Sequence, residues 1–207
     1  MITSRRTDLA SHLFNRYVRW WMGRKFNIIQ PMPFTPKPGH SIFLLINHFS
    51  WWDGFFGYYM AYSNLGRKFY IMMQHDHFMK YSYLNYMGAY SMKKNSRDMV
   101  ESLAYTARLL SNPENLVLVF PQGELSSNHI THIHVEKGIE RIIKQIKGPC
   151  QIVYACTLIE YFESLKPSAY IHLYDCGVAG EVPFNTLVEN INTFHTQALK
   201  DQVNVEH

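Results

Sequence analysis

The chain has 207 residues, 47% hydrophobic and 15% aromatic, which excludes a disordered sequence and gives one domain enough apolar mass for a substantial core. Charged residues make up only 17% and the formal net charge is +4, which suits an anionic membrane face or an anionic cofactor and falls short of a nucleic-acid-binding profile. Cys150, Cys156 and Cys176 are an odd number without CxxC spacing, pointing to reduced thiols in a cytoplasmic compartment rather than a disulfide framework.

In chain order, the first element is a helix from about Asp8 to Met22. Leu13, Phe14, Tyr17, Trp20 and Trp21 recur at helical spacing among Arg16, Arg19, Arg24 and Lys25, a composition that suits interfacial anchoring. The same periodicity also fits a helix packed on the core with a solvated basic face. Residues 1–30 are therefore set apart as an amphipathic, membrane-associating segment, and residues 31–207 as the body. No signal peptide opens the chain, and no apolar run reaches the roughly 18 residues of a membrane span.

A stiff, Pro-rich connector from Pro31 to Pro38 leads into the body, where strands and helices alternate. Ser41–Asn47 reads as a strand and Trp51–Ser63 as a helix. Lys68–Met73 is a strand, His77–Tyr86 a helix and Ala89–Lys93 a short strand. Ser96–Leu110 is a helix with Ser96 as its N-cap, and Leu116–Phe120 is a buried strand ended by Pro121 and Gly123. A His-rich loop precedes a helix from Val135 to Ile146. Two further strands, Gln151–Glu160 and Ala169–Tyr174, come before a last helix introduced by Pro183. This alternation implies a single α/β domain with a central, mostly parallel mixed sheet flanked by helices on both faces.

Ligands in such sheets gather at the carboxyl ends of strands, where His48 and Pro121–Glu124 both fall. His48 follows a buried strand and Asp53 lies in the first turn of the next helix, so a turn that folds His48 back leaves one imidazole nitrogen on the carboxylate and the other free as a base. Ser50-x-x-Asp53 is equally a helix capping box, and spacing alone favours that reading. Three further segments fall on the same sheet edge: Gly88–Lys94, Phe120–Glu124, and Val135–Gly138 with Lys137. Together they supply a base, polar positioning groups and positive charge.

The block Asn47-His48-x-Ser50-Trp51-x-Asp53 resembles the N-H-x-S-x-x-D block of the PlsC-like lysophospholipid (glycerophospholipid) acyltransferase family. Gly88–Lys94 is similar to that family's second block, with Lys94 at its usual arginine. Phe120-Pro-Gln-Gly-Glu124 resembles F-P-E-G-T-R, and Val135–Gly138 resembles F-K-x-G. The resemblance implies a glycerol-phosphate-acyltransferase-like fold and acyl transfer from acyl-CoA or acyl-carrier protein to a lipid hydroxyl, on the cytoplasmic face of a membrane. It further implies His48 and Asp53 as the catalytic pair and Lys94, Gln122, Gly123, Glu124 and Lys137 as groups that position acceptor or donor. Backbone N–H groups would hold the oxyanion, and neither metal nor cofactor is required. The sequence departs from the family at Gln122, Glu124 and Leu125, where Glu, Thr and Arg are usual. Loss of the arginine removes a bidentate phosphate ligand, leaving glycolipid, aminolipid and pigment hydroxyls open as acceptors.

Other readings accompany these. A catalytically silent lipid-binding module of the same fold fits the altered third block. His129, His132, His134 and Glu136 have zinc-ligand chemistry but fit a solvated loop better, and His75-Asp76-His77 reads as a strand exit and helix cap. The aromatic and Met-rich stretches Phe55–Met60 and Phe78–Met87 serve an acyl-chain groove or the core equally well. GxSxG, P-loop and GxGxxG motifs are absent.

Overall fold

The computed structural model describes residues 1–94 and 97–205. Seven strands form one sheet: β1 (Ile29–Pro31), β2 (Ser41–Ile46), β3 (Lys68–Gln74), β4 (Ala89–Met92), β5 (Asn115–Val119), β6 (Cys150–Glu160) and β7 (Ser168–Val178), in the spatial order β1-β7-β6-β2-β5-β3-β4. Neighbours are parallel except β6 and β7, so the sheet is mixed and mostly parallel. The helices are α1 (Asp8–Lys25), α2 (Asp53–Ser63), α3 (His75–Lys80), α4 (Arg97–Leu110), α5 (Lys137–Ile143) and α6 (Phe184–Val203).

The centre of the sheet is covered on both sides, which is why β2 reads as an unbroken apolar run. Phe43 and Leu45 point into a core shared with α4, α5 and α6; Ile42, Leu44 and Ile46 point into a second core with α1 and α2. Every side chain of β2 is fully buried. Gly57 lets α2 lie close on the sheet, since a Cβ there would stand 2.6 Å from the Leu118 side chain. On the other face, Leu103, Ala107 and Leu110 of α4 are buried at the helical spacing of its inner stripe.

Helix α1 packs on the core along one side and leaves apolar side chains exposed on the other. Val18 and Met22 are buried in the core, and the buried hydroxyl of Tyr58 on α2 donates to Ser11 O at 2.7 Å. Burial raises the pKa of that hydroxyl. Leu9, Leu13, Tyr17 and Trp20 stay exposed on the opposite side.

Some boundaries differ from expectation. The connector at Pro31 is in part the strand β1, whose brevity and terminal proline hide it. The helix expected over His77–Tyr86 is split into α3 and a 3₁₀ turn over Ser82–Met87, because Tyr81 leaves helical geometry at φ −123° and ψ 42°. His75 opens α3 rather than ending the strand. Helix α5 is shorter at both ends than Val135–Ile146, with Glu136 extended ahead of it. The expected cap Ser96 lies outside the described residues.

Candidate active site

Strand β2 is followed by Asn47, whose buried amide makes two hydrogen bonds with Thr157 on β6: Thr157 N donates to Oδ1 at 2.8 Å, and Nδ2 donates to Thr157 O at 3.0 Å. This clamp fixes where the chain leaves the sheet. The next residues fold around one carboxylate. Asp53 is fully buried; its Oδ2 accepts from Phe49 N and Ser50 N, both at 2.8 Å, and lies 2.8 Å from His48 Nδ1. The Ser50 hydroxyl donates to Asp53 Oδ1 at 3.0 Å and accepts from Trp52 N. Ser50 is thus not the N-cap; Trp52 holds that position, and Ser50 instead completes the shell of Asp53. With Nδ1–H committed to Asp53, Nε2 is the nitrogen left to act as a base.

Strand β5 lies beside β2 and delivers the second turn. The Phe120 ring stacks on the His48 imidazole with centroids 3.8 Å apart and planes 9° from parallel. Buried Gln122 accepts from His48 N at 2.8 Å, and Ser126 N donates to His48 O at 2.8 Å. Gly123 has φ 69°, a left-handed conformation that glycine adopts without strain. Its carbonyl accepts from Lys94 Nζ at 2.8 Å. Lys94 arrives from β4 through Gly88, where a side chain is impossible: a Cβ would lie 2.1 Å from Phe69 O.

A cavity of about 490 Å³ opens at His48 and runs between α2 and the β3–β4 edge of the sheet. Gly123, Glu124, Leu125 and Lys94 line it near His48, while Phe55, Tyr58, Phe69, Met72, Met87 and Met92 make its walls apolar. The aromatic and Met-rich stretches therefore divide their work. Phe55, Tyr58, Tyr81 and Met87 line the cavity, Phe56, Met60 and Phe78 pack in the interior, and Met79, Tyr83 and Tyr86 are exposed. The cavity walls from β3 were missed as functional, although the run Ile71-Met72-Met73 on an edge-side strand was their signal.

The structure brings together His48, Asp53, Lys94, Gln122, Gly123 and Glu124. Gln122 does so from behind, holding the His48 backbone. Lys137 is exposed at the start of α5 and does not line the cavity. His129, His132, His134 and Glu136 are exposed, and no group of three metal-ligating side chains occurs among the described residues. Phe120 as a stacking partner and Thr157 as the anchor of Asn47 were not legible as such.

The Acyltransferase family model matches residues 26–157, a span that contains both turns and every residue at the mouth of the cavity except α1. The chain belongs to this family. It is an acyltransferase. Its fold is similar to that of PlsC, the 1-acyl-sn-glycerophosphate acyltransferase of Thermotoga maritima, with a TM-score of 0.66 over 95% of this chain and 80% of that one at 13% identity. No curated protein matches it. Within the acyltransferase, no helix of the described residues is long and apolar enough to cross a membrane.

Proposed function

We propose that the acyltransferase moves a fatty acyl group from acyl-CoA or acyl-carrier protein to a lipid hydroxyl, with His48 as general base and Asp53 as the group that orients it. The observation that carries this reading is the 2.8 Å contact of His48 Nδ1 with buried Asp53 at the mouth of a 490 Å³ apolar cavity. An acyl chain fits such a cavity, and its thioester would then lie at the polar end.

In this mechanism the acceptor hydroxyl gives its proton to His48 Nε2 as its oxygen bonds to the thioester carbonyl carbon. Asp53 keeps the proton on Nδ1 and stabilises the imidazolium. The tetrahedral intermediate collapses with loss of the C–S bond, and the departing thiolate takes the proton from Nε2. No acyl-enzyme forms, and backbone N–H groups near Gly123 stabilise the oxyanion. The likeness to PlsC is consistent with a lipid acceptor.

The reaction takes place on a membrane surface. Leu9, Leu13, Tyr17 and Trp20 form one exposed stripe on α1, and Trp51 continues it to the cavity mouth. Arg24 stacks on Trp20 at 5.1 Å and offers a cation at headgroup level. Donors of both kinds are found on the cytoplasmic face.

Purified protein given labelled acyl-CoA or acyl-carrier protein and a lipid extract should yield labelled lipid, and His48→Ala should abolish it. Transfer that survives His48→Ala overturns the mechanism. Vesicle binding without turnover from either donor supports a silent lipid-binding module instead. Replacing Leu13 and Trp20 by Glu should release the protein from anionic vesicles, and unchanged flotation would remove α1 from the docking surface.

A further inference from the structure

An acceptor whose hydroxyl reaches His48 Nε2 places its neighbouring headgroup against the turn after β5. That turn is tied to His48 on both sides: Gln122 accepts from His48 N, and Ser126 N donates to His48 O, each at 2.8 Å. Gly123, Glu124 and Leu125 lie between these two ties and line the cavity with His48.

A phosphate monoester there is held best by an arginine fork or several free N–H donors, and less specifically by a lone ammonium. The turn presents no arginine: its side chains at the cavity mouth are those of Glu124 and Leu125. Glu124 and Leu125 are both exposed to the cavity mouth, Leu125 at 60%. Lys94 is the one lysine or arginine among the described residues that line the cavity. Its ammonium already donates to Gly123 O at 2.8 Å, and Glu136 closes on the same place: Lys94 Nζ is 3.4 Å and Glu136 Oε1 3.5 Å from the point a Gly123 Cβ would occupy. Neither Arg97, which pairs with Glu101 at 3.6 Å, nor Lys137 lines the cavity. A phosphate dianion beside Glu124 therefore meets repulsion at the cavity mouth, opposed by one ammonium among the described lining residues, that of Lys94.

We propose that this enzyme takes a lipid hydroxyl whose headgroup carries no phosphate monoester, and that Glu124 is the residue that turns phosphate away. The inference rests on acyl transfer at His48. Monoacylglycerol and lysophosphatidate with the same acyl chain serve as probes, compared both by dissociation constant in detergent micelles and by kcat/KM with an acyl thioester. Wild type should favour monoacylglycerol by about tenfold or more in both readouts, which corresponds to one unfavourable charge contact. Glu124→Gln should narrow that ratio, and Glu124→Thr with Leu125→Arg should invert it. Both positions are exposed, so the fold tolerates the changes. Preference of the wild type for lysophosphatidate, or a ratio that Glu124→Gln leaves unmoved, overturns the inference. Absence of transfer to either probe strikes the proposed reaction, and the binding ratio still decides for or against the headgroup preference.

Discussion

The turn between β2 and α2 is short and folds around Asp53, whereas the connection from β5 to α5 runs over residues 120–136 and is also tied to Lys94 and α6. In the first, every donor to Asp53 comes from within five residues: His48 Nδ1, Phe49 N, Ser50 N and the Ser50 hydroxyl. In the second, Glu136 N donates to Pro121 O within the connection, and further ties come from distant elements. Lys94 holds Gly123 O, Asn192 on α6 exchanges two hydrogen bonds with Ile133, and His195 on α6 donates to Ile130 O. The pair proposed as catalytic thus sits on a largely local scaffold, and Gly123–Leu125, proposed to face the acceptor, sit on a loop whose shape depends on the rest of the molecule. The two are joined at His48, whose N donates to Gln122 and whose O accepts from Ser126 N, and substitutions can address each side of that joint.

The largest effect is expected from closing off the first turn's centre. Asp53→Asn replaces a carboxylate that collects four donors with an amide whose NH₂ faces some of them. The imidazole loses the partner that fixes its tautomer, and kcat should fall by on the order of 10²–10⁴. Single-turnover acyl transfer reads this directly. Wild-type kcat in Asp53→Asn would detach the carboxylate from the reaction.

This contrast also explains what was legible in the sequence. His48 and Asp53 form a pattern because their geometry is settled within one turn, and the buried run of β2 announces the sheet exit that carries it. Gly88 was legible as a turn because its backbone conformation leaves no room for a side chain. Lys137 was placed at the site by order and spacing, yet the 17-residue connection before it sets the start of α5 away from the cavity. The role of Gln122 was hidden for a different reason. Its partner is a backbone N–H on another strand's turn, and no periodicity encodes that meeting. Strand β1 escaped because three residues pairing at a sheet edge leave no alternation to read.

A smaller effect is expected one residue before His48. Asn47→Ala leaves Thr157 N and O buried without their partners, which should lower the unfolding free energy by about 2–3 kcal/mol. Denaturant titration measures it, and a change within error would mean that the clamp is replaced by water. Asn47 and Thr157 do not line the cavity, so the acceptor preference should be unaffected.

The converse holds for Asn192→Ala, which removes the two bonds to Ile133. A loss of about 1–2 kcal/mol is expected, together with faster limited proteolysis between residues 122 and 136. Here the discrimination between acceptors should weaken while His48 and Asp53 keep their geometry. Cleavage at the wild-type rate would show that the loop is held without α6.

The last tie is titratable. His195 is fully buried; its Nε2 donates to Ile130 O at 2.9 Å and its Nδ1 accepts from the Tyr154 hydroxyl at 2.9 Å, with Cys156 Sγ at 3.2 Å. Burial lowers its pKa; the Ile130 carbonyl opposes that shift and His132 adds to it. Burial also pushes Cys156 up to about 12 and Tyr154 well up, so neither neighbour supplies a negative charge to an imidazolium. A histidine whose folded pKa is depressed binds its proton more readily in the unfolded chain. Its contribution is therefore constant above the ordinary value near 6.5 and is lost as pH falls from there towards the folded pKa. Stability should decline over that window with a slope of up to about 1.4 kcal/mol per pH unit from this group. His195→Gln, which can still donate to Ile130 O, should remove that part of the slope while keeping the loop attached. An identical slope in His195→Gln would assign the acid sensitivity to other groups and leave α6 as a passive support of the acceptor loop.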